Sequence, residues 1–367
     1  MGRESREYIM NKKVHHWIRP EIQKLSAYHV PAPGKMIKLD AMENPYHLPE
    51  DIKNKWLDVL RDVELNRYPD PSARSLTEQL RVAMDVPADA KIILGNGSDE
   101  LIQIICMAVA EKDRVVLSVE PSFVMYKMIA TYTDMEYVGV PLEEDFSLNE
   151  IALLNAIDVQ EPAVIFLAYP NNPTGNLFDE AVIEKVIAAA PGLVVIDEAY
   201  HAFAEKSFIA KVMNYDNVVV MRTVSKLGLA GLRLGLLAGS AEWLNEFDKV
   251  RLPYNINVLT QATAEFALAH KEIFDNQTAE IRKERTGLFN ALNNIDGLEV
   301  FPSSANFILF RTPKGKVDAI FAGLKEEGVL IKNLNPAGGH LQDCLRVTVG
   351  KPEENAAFLA ALKNALT

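Results

Sequence analysis

Between residues 75 and 240, short apolar runs alternate with stretches whose apolar residues recur at helical spacing. The runs are KIIL (91–94), RVVLSV (114–119), AVIFLAY (163–169), LVVIDEAY (193–200), NVVVMRT (217–223) and LGLLAG (234–239). Several are apolar at consecutive positions, the mark of strands covered on both faces of a mostly parallel sheet. Between them, DELIQIICMAVA (99–110) and DEAVIEKVIAAA (179–190) read as helices. Strand–helix alternation of this kind predicts an α/β layered domain.

After residue 250 the texture changes. Helical periodicity runs from 257 to 295 with a break, and strand patterns follow at ANFILF (305–310), GVLIKNL (328–334) and CLRVTVG (344–350). A last helix opens at Lys351-Pro352-Glu353-Glu354, with proline near the first helical position and acids in the first turn. The expected organisation is a large domain over 46–255 and a smaller α+β domain over 256–367. An N-terminal segment, 1–45, is too short for a core of its own and is expected to join the small domain.

Composition narrows the function classes. The 367 residues are 49% hydrophobic and 24% charged, enough for a sizeable core. A net charge of −12 without any Lys/Arg cluster argues against a nucleic-acid partner. No run of 18 apolar residues and no signal-peptide pattern stands out, so the expectation is a cytoplasmic protein with no membrane partner. Cys106 and Cys344 match no zinc or redox spacing and read as buried free thiols. The seven histidines show no ligand spacing, so no metal is expected.

Four features fall at the ends of expected strands, where open α/β sheets bind ligands. In GNGSDE (95–100), Gly95 and Gly97 permit a tight turn, and Ser98 or Asp99 can cap the helix that follows. That helix start offers free N–H groups to a phosphate, although a plain turn-and-cap also accounts for the stretch. YPNNPTG (169–175) reads as a loop of Asx turns, or as the delivery of Asn171 and Asn172 to the sheet edge, where an amide can donate to a ligand oxygen. In VVIDEAY (194–200), Asp197 ends an apolar strand, a costly place for a carboxylate unless it meets a cation or donors; a helix cap is the alternative. RTVSKLGLAGLRLG (222–235) sets Ser225, Lys226 and Arg233 among small and apolar residues. Together these parts meet the needs of pyridoxal phosphate: a carboxylate for its ring nitrogen, an amide for its hydroxyl, a phosphate cradle and a desolvated amine.

The order GNGSDE, PNNPTG, DEAY and SK…GLRLG resembles the fold-type I pyridoxal-phosphate-dependent aminotransferases. LDAMENPY (39–46), ELNRYPDP (64–71) and LRVTVG (345–350) make the chain similar to their histidinol-phosphate branch, from about Leu25 to the C-terminus. The resemblance implies a large domain with a mostly parallel seven-stranded sheet between helices, and a smaller α+β domain. It implies transamination between histidinol phosphate and 2-oxoglutarate in histidine biosynthesis. It assigns Lys226 as the Schiff-base lysine, Asp197 to the pyridine nitrogen, and Asn172 and Tyr200 to the ring hydroxyl. Ser98, Asp99, Ser225 and Arg233 would surround the phosphate, and Phe123 would stack on the ring. Tyr68 would reach the cofactor phosphate of a partner subunit, implying a homodimer with shared sites. Arg346, Tyr28, Lys332 and Asn306 fall on the substrate side.

Three departures bear on these expectations. SKLGLAGLR is one residue shorter than the family's common form, Met42 stands where asparagine is usual, and Lys332 stands where an arginine often meets the substrate phosphate. Lysine binds phosphate as a point charge without arginine's fork. An aromatic aminotransferase, or a phospho-amino-acid decarboxylase of the same fold, is the alternative.

Overall fold

The computed structural model of the chain describes residues 13–27 and 31–367. A two-residue strand, β1 (Ile37–Lys38), precedes seven longer ones. They are β2 (Lys91–Gly95), β3 (Val115–Glu120), β4 (Glu136–Pro141), β5 (Val164–Ala168), β6 (Leu193–Asp197), β7 (Val218–Thr223) and β8 (Gly235–Gly239). These seven form one sheet in the order β2-β8-β7-β6-β5-β3-β4. Pairing is parallel from β7 through β4, while β8 runs antiparallel to both of its neighbours.

Alternate residues of the central strands enter different cores. Ile165, Leu167, Ile196 and Val220 belong to the core on one face of the sheet. Val164, Phe166, Val195 and Met221 belong to the core on the other. This two-fold alternation explains why the runs are apolar at every position: both pleat faces are covered. The N-termini of the covering helices and the carboxyl ends of β3, β5, β6 and β7 come to one edge, the usual ligand side of such a sheet.

The remaining strands are β9 (Glu299–Val300), β10 (Phe307–Arg311), β11 (Val329–Leu330), β12 (Lys332–Asn333) and β13 (Cys344–Thr348). An antiparallel sheet runs β12-β13-β10-β9, and β11 pairs in parallel with β1 of the N-terminal segment. The pattern at 328–334 is therefore not one strand but two, interrupted at Ile331 and serving different sheets. Leu345, Val347 and Val349 pack with Leu39, Phe307, Leu324 and Phe358 in a third core. The helical span after 257 breaks at His270 into Val258–Ala269 and Lys271–Asn293. Ala264, Ala267 and Phe274 pack into the large core, whereas Ile281, Leu288 and Leu292 pack into the third. Cys106 and Cys344 are buried and free. Among the described residues, no helix is long and apolar enough to cross a membrane.

Candidate active site

The sheet register assembles the first wall of the site. Gly95 pairs with Gly235 across β2–β8, and Thr223 pairs with the same Gly235 across β7–β8. This brings the start of the helix Gly97–Val109, the turn Ser225–Leu227 and Arg233 to one place. Helix formation begins at Gly97, so neither Ser98 nor Asp99 caps it, contrary to the expectation from sequence. Asp99 instead pairs with Arg233 at 2.9 Å, and both are about half exposed. Gly97 has φ +78, and a Cβ there would lie 2.7 Å from Arg233 Nη2. Glycine is thus required twice over, by the left-handed backbone and by the guanidinium against it. Ser225 Oγ lies 2.9 Å from Thr223 Oγ1. Hydroxyls, an arginine and a helix N-terminus around one point make an anion cradle.

Facing the cradle is Lys226, half-buried, with its Nζ 3.5 Å from the Ala41 carbonyl and 5.7 Å from the centre of the Tyr200 ring. Burial, and then the positive charge of Arg346, lower its pKa to about 8. Asp197 ends β6 and is 4% exposed. Its Oδ2 accepts from Tyr126 Oη at 2.7 Å and its Oδ1 from Ala199 N at 3.0 Å. Burial nonetheless raises this carboxyl to about 6, outweighing those two lowering hydrogen bonds. Asn172 Oδ1 accepts from Arg346 Nη1. An arginine can only donate, so this contact fixes the amide with its oxygen toward Arg346 and its Nδ2 donor turned elsewhere.

A cavity of about 110 Å³ joins these groups. Every cofactor-site residue expected from the sequence lines it, from Ser98 and Asp99 through Phe123, Asn172, Asp197, Tyr200 and Ser225 to Lys226 and Arg233, with the exception of Tyr68. Tyr68 is 81% exposed on the surface, stacked on Tyr254 at 4.5 Å.

Arg346 is 6% exposed, buried between the two sheets' segments rather than facing solvent. It lies over the Phe307 ring at 5.1 Å, and its Nη2 donates to the Asp40 carbonyl at 3.1 Å. In the β12–β13 pair Lys332 stands directly opposite Arg346. Asn306 is fully buried and donates through Nδ2 to the Met42 carbonyl at 2.9 Å, while its Oδ1 has no hydrogen-bond partner among the described residues. Met42 itself has φ +55, its N–H donates to Thr348 Oγ1 at 2.9 Å, and its Sδ lies 3.3 Å from Tyr200 Oη. The segment around Met42 therefore ties the two sheets together across the site. Tyr28 lies outside the described residues.

Sequence reasoning missed Tyr126, Thr223 and Asn44. Tyr126 is three residues after Phe123, and that spacing was its only sequence signal. Asn44 Nδ2 donates to the carbonyl of Leu227, next to Lys226, at 2.8 Å and to Gln277 Oε1 at 3.0 Å.

The sequence profile described as Aminotransferase class I and II matches residues 34–362, and the chain belongs to that family. Among curated proteins it is 56% identical over 351 residues to histidinol-phosphate aminotransferase 2 of Nitrosococcus oceani, covering 96% of this chain and 98% of the relative. It is 50% identical over 354 residues to the histidinol-phosphate aminotransferase of Chromobacterium violaceum, covering 96% and 99%. Among solved structures, the histidinol-phosphate aminotransferase of Sinorhizobium meliloti in complex with pyridoxal-5′-phosphate superposes with a TM-score of 0.83 at 25% identity, covering 95% and 97%. The seven-stranded sheet and the smaller antiparallel sheet are the fold-type I architecture expected from the resemblance.

Proposed function

We propose that this chain is a pyridoxal-phosphate-dependent histidinol-phosphate aminotransferase, exchanging an amino group between histidinol phosphate and 2-oxoglutarate to give imidazole acetol phosphate and glutamate in histidine biosynthesis. The observation that carries this reading is the pairing, in one cavity, of an amine with a depressed pKa and a buried carboxylate, beside an anion cradle. The similarity to histidinol-phosphate aminotransferases over nearly the whole chain supports the substrate.

The residues fit the cofactor. Asp197 is a buried carboxylate that makes two hydrogen bonds and, among the described residues, no ion pair; a protonated ring nitrogen would offset its desolvation. When bound, pyridoxal phosphate supplies a carbonyl carbon that condenses with an amine and a ring that withdraws electrons from the substrate Cα. Asp197 holds the ring nitrogen in its protonated form. Asn172, through Nδ2, and Tyr200, through its hydroxyl, hold the ring hydroxyl oxygen. Phe123 covers a ring face. Ser98, Asp99, Ser225 and Arg233 hold the phosphate at the start of the helix Gly97–Val109. Lys226, whose pKa is lowered to about 8 by burial and Arg346, would be the amine that takes the proton from substrate Cα. Arg346 holds the carboxylate of glutamate or 2-oxoglutarate with its planar fork. Lys332, its neighbour across β12–β13, meets the phosphate of histidinol phosphate, with Asn306 as a further substrate-side residue.

The chain acts as a cytoplasmic homodimer in this reading, with Tyr68 reaching the partner's site. The exposed Leu65, Tyr68 and Leu252 support such an interface. β1 of the N-terminal segment joins the small domain through β11, while Arg19 of that segment donates to the carbonyls of Thr131 and Tyr132 in the large domain. The packing of Ala264, Ala267 and Phe274 supports a large domain that runs past the expected boundary at 255. The test is borohydride reduction of the purified protein followed by peptide mass spectrometry. A cofactor adduct on Lys226, absent in Lys226→Ala, is expected; an adduct elsewhere, or none, contradicts the proposal.

A further inference from the structure

We infer that Tyr126 is a positioning residue of the cofactor site, fixing the Asp197 carboxylate through its hydroxyl and Phe123 through its ring. The inference rests on the reading of Asp197 as the partner of the ring nitrogen. Tyr126 is completely buried under the large sheet, and its hydroxyl donates to Asp197 Oδ2 at 2.7 Å. Its ring stacks on Phe166 of β5 with centroids 4.7 Å apart and planes 11° apart. Its position is thereby locked to the strand beside β6. The same ring meets Phe123 edge-on, at 5.6 Å and 86°.

Two donors, Tyr126 Oη and Ala199 N, therefore hold the two oxygens of Asp197 and leave its carboxylate plane no freedom to turn. A carboxylate that turned would lose its line to a ring nitrogen. Burial and the nearby Asp197 charge both raise the Tyr126 phenol, so the proton stays on tyrosine and the carboxylate stays the acceptor. The other charged or titratable groups set toward Asp197 are Asp99 and Glu198, which raise its proton affinity, while Lys226, Tyr200 and Arg233 share the cavity. One side chain thus aligns the group below the ring nitrogen and the group that covers the ring face, although it does not itself line the cavity.

The experiment compares Tyr126→Phe and Tyr126→Leu by pyridoxal phosphate titration of the apoprotein over a pH series, with thermal melting alongside. Tyr126→Phe keeps both ring contacts and is expected to melt near the parent. It should weaken cofactor affinity on the order of tenfold, with affinity failing at a higher pH on acidification, because Asp197 loses a donor to its charged form. Tyr126→Leu should weaken it further by releasing Phe123. Affinity within twofold of the parent and an unchanged pH dependence for Tyr126→Phe overturn the inference. Should Tyr126→Phe fold poorly, the double change with Asp197→Asn decides. Once Asp197→Asn is present, removing the hydroxyl should change affinity no further, and a full additional loss overturns the coupling. If Asp197→Asn alone leaves affinity and turnover intact, it is the reading of Asp197 that fails.

Discussion

Gly97→Ala is the sharpest test of the phosphate cradle. Gly97 sits at φ +78, where an L-residue costs about 1–2 kcal/mol. Its new Cβ would lie 2.7 Å from Arg233 Nη2 and 3.1 Å from Cζ, so the guanidinium must move. Moving it strains the Arg233–Asp99 pair, which is about half exposed and contributes at most about 1 kcal/mol. The fold therefore loses about 2 kcal/mol, which a protein of this size survives. The functional loss is larger in kind. A displaced Arg233 forfeits a charge-assisted contact to phosphate worth about 1.5–3 kcal/mol, a weakening of roughly 10- to 100-fold in cofactor affinity. Gly328→Ala is the control, since Gly328 also has a left-handed backbone, φ +80, with open space around a Cβ. Urea denaturation should show a similar destabilisation for both variants, while pyridoxal phosphate titration of the apoproteins should show a loss only for Gly97→Ala. Equal cofactor affinity in the two variants would refute the assignment of Arg233 and the helix start to the phosphate.

Three further outcomes follow from the geometry. Burial and Arg346 lower the Lys226 ammonium to about 8, so its acylation in the apoprotein, followed by peptide mass spectrometry, should rise through a midpoint near pH 8; a midpoint near the ordinary lysine value of 10.5 would contradict the desolvated site. Asn44→Ala removes the donor to the Leu227 carbonyl and should lower kcat several-fold, about 1 kcal/mol, while leaving cofactor affinity little changed; an unchanged kcat would show that the turn carrying Lys226 holds itself. Arg222→Met leaves Glu198 buried opposite an uncharged side chain, where Arg222 Nη2 now lies 2.8 Å from Glu198 Oε2. It should cost about 3–5 kcal/mol in urea denaturation, and a loss under 1 kcal/mol would contradict the pairing.

The central strands were legible because burial on both faces writes itself into consecutive apolar residues, as in VIFLA and LVVID. β4 was not, because EYVGVP is an edge strand whose burial is partial and whose pattern carries Glu136, Gly139 and Pro141. The reversed direction of β8 left no mark either, since LGLLAG would read alike in both directions. The cavity residues were legible through their motifs, and Arg346 through the LRVTVG motif that carries the family resemblance. Tyr126 was hidden because a buried tyrosine on a helix reads as core; only the distance to Asp197 Oδ2 reveals its polar end. Ser98 and Asp99 were misread as caps because the helix starts at Gly97, two residues earlier than a cap at Ser98 would set it and three earlier than one at Asp99. Met42 illustrates how backbone replaces side chain: its N–H and carbonyl meet Thr348 and Asn306 whatever its side chain is.

The most direct test of the central claim is a single-turnover measurement on the cofactor-loaded protein. It would be mixed separately with histidinol phosphate, phenylalanine, tyrosine and glutamate while its visible absorbance is followed. The account predicts that histidinol phosphate bleaches the cofactor far faster than the aromatic amino acids, and that Lys332→Met narrows the gap. Aromatic amino acids that match histidinol phosphate, with Lys332→Met indifferent, would contradict it and make the chain a broader aminotransferase.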